Sequence, residues 1–343
     1  MTSIDERINK ARKYFGKRLV ILGHHYQREE VIKYADFRGD SFGLSKIASE
    51  QKDAEFIVFC GVHFMAEAAR VLAGPHQRVF MPVVTAGCPM AEMADIEDVE
   101  KAWKAIAGVR DISKVIPVAY MNTSAEIKAF CGSHGGVICT SGNAGRVFDW
   151  AFKRGDGIFF FPDEHLGRNT AREKGISKNE IMLWNPSPRP SPPRGEGETK
   201  IVLWPGFCHV HTFFTVKHVN DARREYPGCK IVVHPECKED VVMASDASGS
   251  TEGICKFVAG QEKGATVVIG TEVNLVGRLA KEHPDKTVVP LARSLCPNMY
   301  KTSPKDLADL LERLQEGENI NEITVPGDIS KFALIALQRM LNV

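Results

Sequence analysis

No Cys-x-x-Cys pair occurs among the nine cysteines, which excludes the ligand spacing of a zinc ribbon and the redox pair of a thioredoxin-like site. No stretch approaches the roughly 18 uninterrupted apolar residues of a membrane span. Net charge is nearly absent: 44 basic against 43 acidic residues leave +1, so no global field draws the chain toward nucleic acid or a membrane surface. The opening segment, MTSIDERINKARKYFGKR, is charged throughout and has no apolar signal core. These absences predict a cytoplasmic protein with reduced thiols and no nucleic-acid or membrane partner. A local site for an anionic small molecule is still open.

What the chain does contain is a recurring phrase: a short β-branched run, a polar turn, then a stretch with helical spacing. RLVILGHHYQ, EFIVFCGVHF, KVIPVAYMNTS, GIFFFPDEH, KIVVHPEC and TVVIGTE are runs of this kind, and MAEAARVLAG, DIEDVEKAWKAIAG and EVNLVGRLAKEH carry the helical pattern. Near-continuous apolar runs suit parallel strands buried on both faces, and strand–helix alternation implies right-handed βαβ units. Functional residues then belong at the carboxyl ends of the strands.

A threefold repeat of reactive residues lies at those ends. The units read His24-x-Tyr26, Ser41, Cys88; Tyr120-x-Asn122, Ser141, Cys208; and His234-x-Glu236, Ser250-Thr251, Cys296. Alternate residues of an extended segment point to one face, so each pair can reach one ligand. Ser41 to Cys88 and Thr251 to Cys296 are spaced nearly alike, whereas Ser141 to Cys208 is longer. The excess falls in IMLW-NPSPRPSPPRGEGETK-IVLW, where the xxLW word appears twice, and excision of Asn185–Trp204 restores the spacing. We read 185–204 as a disordered surface insert, with a proline-rich ligand for a partner domain as the rival. The predicted fold class is α/β: three pseudo-threefold-related modules, each a small parallel sheet flanked by helices, around a central site. Their predicted extents are 1–92, 93–207 and 208–299, with helices in 300–343 packing back on the first.

Cys88 and Cys296 are followed by proline, a frequent first helical residue, and a thiol at a helix N-terminus loses its proton more easily. Any single such cysteine is more often a buried structural thiol; three at matched places point to a metal. Three thiolates suit an iron–sulfur cluster with one open iron. A catalytic zinc with Cys and His ligands suits them too, and sequence chemistry does not separate the two. Cys60 and Cys139 lack a third counterpart, and Cys131, Cys229, Cys237 and Cys255 read as packing or surface thiols. His24, Tyr26, His211, His234 and Glu236 supply acid–base capacity. Ser41, Ser141 and Ser250/Thr251 read equally as helix N-caps or as hydroxyls at anion-receiving helix starts.

The words ILGHHYQ, GDS, PVVTAGCPMAEM, VAYMNTSAEIKA, CTSGNA, PGFCHVH, VHPEC, GSTEGI, GTEVNL and RSLCPNM resemble the quinolinate synthase family, in order and over nearly the whole chain. The resemblance implies a [4Fe-4S] cluster held by Cys88, Cys208 and Cys296, with the fourth iron a Lewis acid. It implies condensation of iminosuccinate (iminoaspartate) with dihydroxyacetone phosphate to quinolinate, phosphate and water, in NAD biosynthesis. It further implies that His24, Ser41, Tyr120, Asn122, Ser141, His234, Glu236 and Thr251 hold substrate. Tyr26 and Glu236 would move protons, and His211 would lie beside the cluster. An aspartate oxidase or dehydrogenase that delivers the imine is the implied functional link. The rival functions are a zinc-dependent hydrolase and an inactive iron–sulfur sensor on the same fold.

Overall fold

The computed structural model describes residues 3–185 and 199–343. It contains three sheets. The first holds β1 (Leu19–His24), β2 (Phe37–Gly39), β3 (Phe56–Cys60) and β4 (Arg78–Phe80). The second holds β5 (Val115–Tyr120), β6 (Val137–Cys139), β7 (Gly157–Phe161), β8 (Ile181–Leu183) and β9 (Ile201–Leu203). The third holds β10 (Lys230–Val233), β11 (Ala247–Ser248), β12 (Thr266–Gly270) and β13 (Thr287–Pro290), and β14 (Glu322–Ile323) returns to the first. The common core of each is one parallel arrangement: β4-β3-β1-β2, β9-β7-β5-β6 and β13-β12-β10-β11. β1, β3, β5 and β7 are buried along their whole length, as their unbroken apolar runs require between two helical layers. The α/β fold of three modules is therefore present, and the repeat is one of topology as well as of motif. Among the described residues no helix is long and apolar enough to cross a membrane.

Extra strands cover one edge in two modules. β14 pairs antiparallel with β4, and β8 lies parallel to β9, with Ile181 opposite Ile201 and Leu183 opposite Leu203. This corrects the expectation of a loop over 185–204 at its end, where Ile201–Leu203 form a strand. Both xxLW copies form strands, and the second, inside the supposed insert, holds the position matching β4 and β13. Ile201, Val202, Leu203 and Trp204 are buried, while β8 is only partly covered. The sheet has room for a second copy because its edge is open, and pairing there satisfies backbone groups that an extruded copy would leave to water. Residues 186–198, with the proline-rich stretch, lie outside the described residues.

The tail also differs from expectation. Pro304–Gln315 does pack on the first module, through Leu307, Leu310 and Leu311 against Ile8, Ala11 and Phe15, with Arg7 bonded to Asp309 at 2.7 Å. The last helix, Gly327–Leu341, instead rests mainly against Ala125–Ser133 of the second module. It buries Ala333, Ala336, Leu337 and Met340, and Arg339 donates to the Gly136 carbonyl at 2.7 Å. The two helices approach so closely that a Cβ on Gly132 would lie 1.9 Å from the Phe332 carbonyl oxygen. Gly132→Ala must push them apart, and we expect it to destabilise the protein by about 3 kcal/mol. A urea midpoint within error of the parent would show that this contact is not made.

Candidate active site

The first strand of each module ends at the centre of the molecule with its reactive pair. After β1, the Tyr26 N–H donates to His24 Nδ1 at 3.2 Å; after β10, the Glu236 N–H donates to His234 Nδ1 at 3.3 Å. Each imidazole thus has its Nδ1 as acceptor, which leaves Nε2–H as the donor of the neutral ring. Burial keeps both rings neutral: it holds His24 well below the ordinary histidine range, with the neighbouring His25 and the Arg278 charge adding to it. His234 is lowered to about 3, by burial and then by His211. The X-x-Y spacing read from the sequence is therefore a hydrogen-bonded turn that aims a donor.

The second strand of the first and third modules, too short to be seen in the periodicity, leads into a helix start. There the capping duty falls on Asp40, beside Ser41, and on Ser250, one of the two hydroxyls named for the third module. Asp40 accepts from the Gly43 N–H at 2.8 Å, and Ser250 accepts from the Gly253 N–H at 3.2 Å. In the second module Asn143 stands at the cap position of Ala144–Phe152. The hydroxyls of Ser41, Ser141 and Thr251 are not spent on capping, and all three face the same cavity.

The cysteines arrive by a matched device. Two residues before each one, a carbonyl accepts from the first residue of the helix that follows the third strand. His63 N–H bonds Ala86 O, Glu164 N–H bonds Gly206 O and Val273 N–H bonds Ser294 O, each at 2.8 Å. Three staples of one length fix three loops at the threefold-related positions, so Cys88, Cys208 and Cys296 line one cavity. They are half-buried, whereas Cys60, Cys131, Cys139, Cys229 and Cys237 are fully buried. Burial works against the easily ionised thiols expected from the sequence. Only single turns follow these cysteines, and burial outweighs the dipole. It pushes Cys88 up to about 12, the Ala91 N–H opposing and Cys296 and Glu236 adding, and raises Cys208 and Cys296 as well. A bound metal must displace those protons.

The lining of that cavity contains His24, Tyr26, Ser41, Tyr120, Asn122, Ser141, His211, His234, Glu236 and Thr251 beside the three thiols. Every site residue read from the sequence is thus brought to one place. At its centre Glu236, 3% exposed, accepts from the Tyr120 hydroxyl at 2.5 Å and from His211 Nδ1–H at 2.8 Å. Burial opposes its charge, but His211 and the Tyr120 hydroxyl hold it as carboxylate, below the usual range. The same negative charge, after burial, keeps the Tyr26 and Tyr120 phenols protonated, their ionisation pushed far up.

Two residues escaped the sequence reading. Thr271 lies fully buried at the end of β12, its hydroxyl 2.7 Å from Tyr26 Oη and 3.1 Å from His211 Nε2. Asp163 holds the Leu166 N–H at 2.6 Å with one carboxylate oxygen, and its other oxygen is buried as well. Thr271 falls inside GTEVNL but outside any repeat, and only the fold gives it meaning.

Two groups of side chains bear on metal binding. Cys208, His211 and Glu236 offer ligand atoms within 4.8 Å of one another, which is the geometry of the zinc alternative. Both His211 nitrogens are already engaged, however, Nδ1 by Glu236 and Nε2 by Thr271 and Tyr26. His25, Glu252 and Cys255 also approach one another, but Arg278 donates to His25 Nδ1 at 2.9 Å. That leaves a proton on Nε2 and a guanidinium beside any cation, so the second group is a poor metal site. Three sulfur donors sharing a cavity with acid–base groups, and with no fourth cysteine in its lining, fit a sulfur-held iron group that keeps one position for substrate.

Comparison with known proteins agrees with the geometry. The family described as Quinolinate synthetase A protein matches residues 6–342. The quinolinate synthase of Corynebacterium glutamicum is 48% identical over 344 residues, covering 99% of this chain and 87% of that protein. Quinolinate synthases of a Geobacillus species and of Acidobacterium capsulatum are 46% and 47% identical, covering 99% of this chain and 94% and 93% of theirs. A match of this extent leaves no module of the fold outside it, and the chain belongs to the quinolinate synthase family.

Proposed function

We propose that this protein is a quinolinate synthase that condenses iminosuccinate with dihydroxyacetone phosphate, releasing phosphate and water, in NAD biosynthesis. The observation that carries the reading is the single cavity lined by one thiol and one reactive pair from each of three modules. Family membership brings an iron–sulfur cofactor; we assign it as a [4Fe-4S] cluster on Cys88, Cys208 and Cys296. When bound, it supplies a Lewis acid at the cavity through an iron that no protein ligand occupies.

The chain's own residues do the rest. The Nε2–H groups of His24 and His234 donate to the carboxylates of the imine substrate. The hydroxyls of Ser41, Ser141 and Thr251, at or beside helix starts, receive the same anionic groups. Asn122 and Tyr120 complete the cradle. Glu236, kept ionised by His211 and Tyr120, is the base that removes carbon-bound protons as the intermediate isomerises. Tyr26, kept as a phenol and bonded to Thr271, is the acid that protonates a departing hydroxyl. His211 links the two, with one nitrogen on Glu236 and the other near Tyr26. The imine hydrolyses in water, so an aspartate oxidase or dehydrogenase in the same cytoplasm is the natural supplier.

Anaerobic purification tests the assignment. We expect a brown protein with about four irons per chain that forms quinolinate from the two substrates. Zinc in place of iron would revive the hydrolase reading, and a full cluster without quinolinate would leave a sensor.

A further inference from the structure

Lys128 is buried with no exposed surface, on the inner side of Ala125–Ser133, and the site described above does not include it. A lysine at such a position costs more than leucine unless its charge is used. Its ammonium donates to the Thr123 carbonyl and lies 5.6 Å from the Phe64 ring centroid. Thr123 belongs to the turn between β5 and Ala125–Ser133, and the residue before it, Asn122, lines the cavity, as does Phe64. The turn has further ties: Met121 N–H to Cys139 O at 2.8 Å and Thr123 Oγ1 to Tyr120 O at 3.0 Å. Across the module boundary, Glu67 accepts from the Ala125 N–H at 3.1 Å. Burial pushes Lys128 down to about 8, with Glu67 opposing, so the ammonium form persists at neutral pH.

We propose that Lys128 is a positioning residue: clamped between the Thr123 carbonyl and the Phe64 face, it sets the turn that presents Asn122 to the dicarboxylate substrate. Without the ammonium the turn would keep the bonds of Met121, Thr123 Oγ1 and Glu67, but the Thr123 carbonyl would lose its donor. The ammonium satisfies that carbonyl and, through Phe64, ties the turn to the first module. The proposal rests on the reading of Asn122 as a substrate contact.

The test uses the anaerobically purified holoenzyme. Lys128→Met should raise KM for the imine about tenfold, because a displaced contact is felt chiefly in binding. It should leave kcat within about threefold and the iron content and cluster absorbance of the parent unchanged. Lys128→Gln keeps a donor for the Thr123 carbonyl and should recover most of the loss, which also covers the case of an unstable Met variant. An unchanged KM in Lys128→Met, or a Gln variant that loses kcat and iron in proportion to stability, overturns the proposal. Asn122→Ala separates the two readings. If it alone leaves KM unchanged, the assignment of Asn122 fails and the role of Lys128 falls with it. If it raises KM, adding Lys128→Met to it should raise KM no further, and additive losses would show that Lys128 acts elsewhere.

Discussion

Cys88→Ser, Cys208→Ser and Cys296→Ser should each abolish the iron–sulfur chromophore and reduce quinolinate formation to background, whereas Cys229→Ser should keep both. A serine oxygen is a harder and far less acidic donor than a thiolate, and a poor ligand for an iron–sulfur group. No other thiol can step in. Cys60 and Cys139 at strand ends and Cys131 on a helix are enclosed in the core, their ionisation pushed up by burial, and none lines the cavity. Cys229 sits in the separate core of the third module with Val219, Ala222 and Ile231, where serine is a small packing change. The measurement is iron and sulfide content after anaerobic purification, read beside the visible spectrum. A full cluster in any of the first three variants would remove that cysteine from the ligand set.

Glu236→Gln is expected to lower kcat by roughly 10²- to 10⁴-fold, the usual contribution of a placed general base, while iron content stays at the parental level. The glutamine keeps the size of the side chain, and what changes is charge and donor sense. The carboxylate accepts from both the Tyr120 hydroxyl and His211 Nδ1–H, and an amide can accept from only one of them. The other donor would then face an N–H group at a buried position, so the His211 proton must move to Nε2 or the ring must turn. Loss of a base predicts a fall in kcat with a smaller change in KM. A variant that retains kcat within a few-fold would assign proton removal to another group.

The site was legible from sequence to an unusual degree because the chain repeats one unit, and a repeat allows weak signals to be compared. A lone strand-end histidine means little, but His24-x-Tyr26 and His234-x-Glu236 occupy the same step of two modules, and both form the same turn. Three cysteines at matched places likewise marked themselves out from the other six. The short strands β2 and β11 carried no periodicity to detect. The hydroxyls they deliver could not be told from caps until Asp40 and Ser250 were seen to do the capping.

The order of apolar runs and reactive words thus determined by itself the α/β class, the threefold repeat and which strand-end residues share one cavity, since local pattern and strand-end position are properties of the chain. Only the tertiary structure decided which xxLW copy holds the interior strand, where the last helix rests, and that Glu236 stays ionised. Those outcomes depend on open sheet edges, on a glycine contact between helices far apart in sequence, and on hydrogen bonds from Tyr120 and His211. Each is a balance of burial and partnership between distant segments, which no local pattern records.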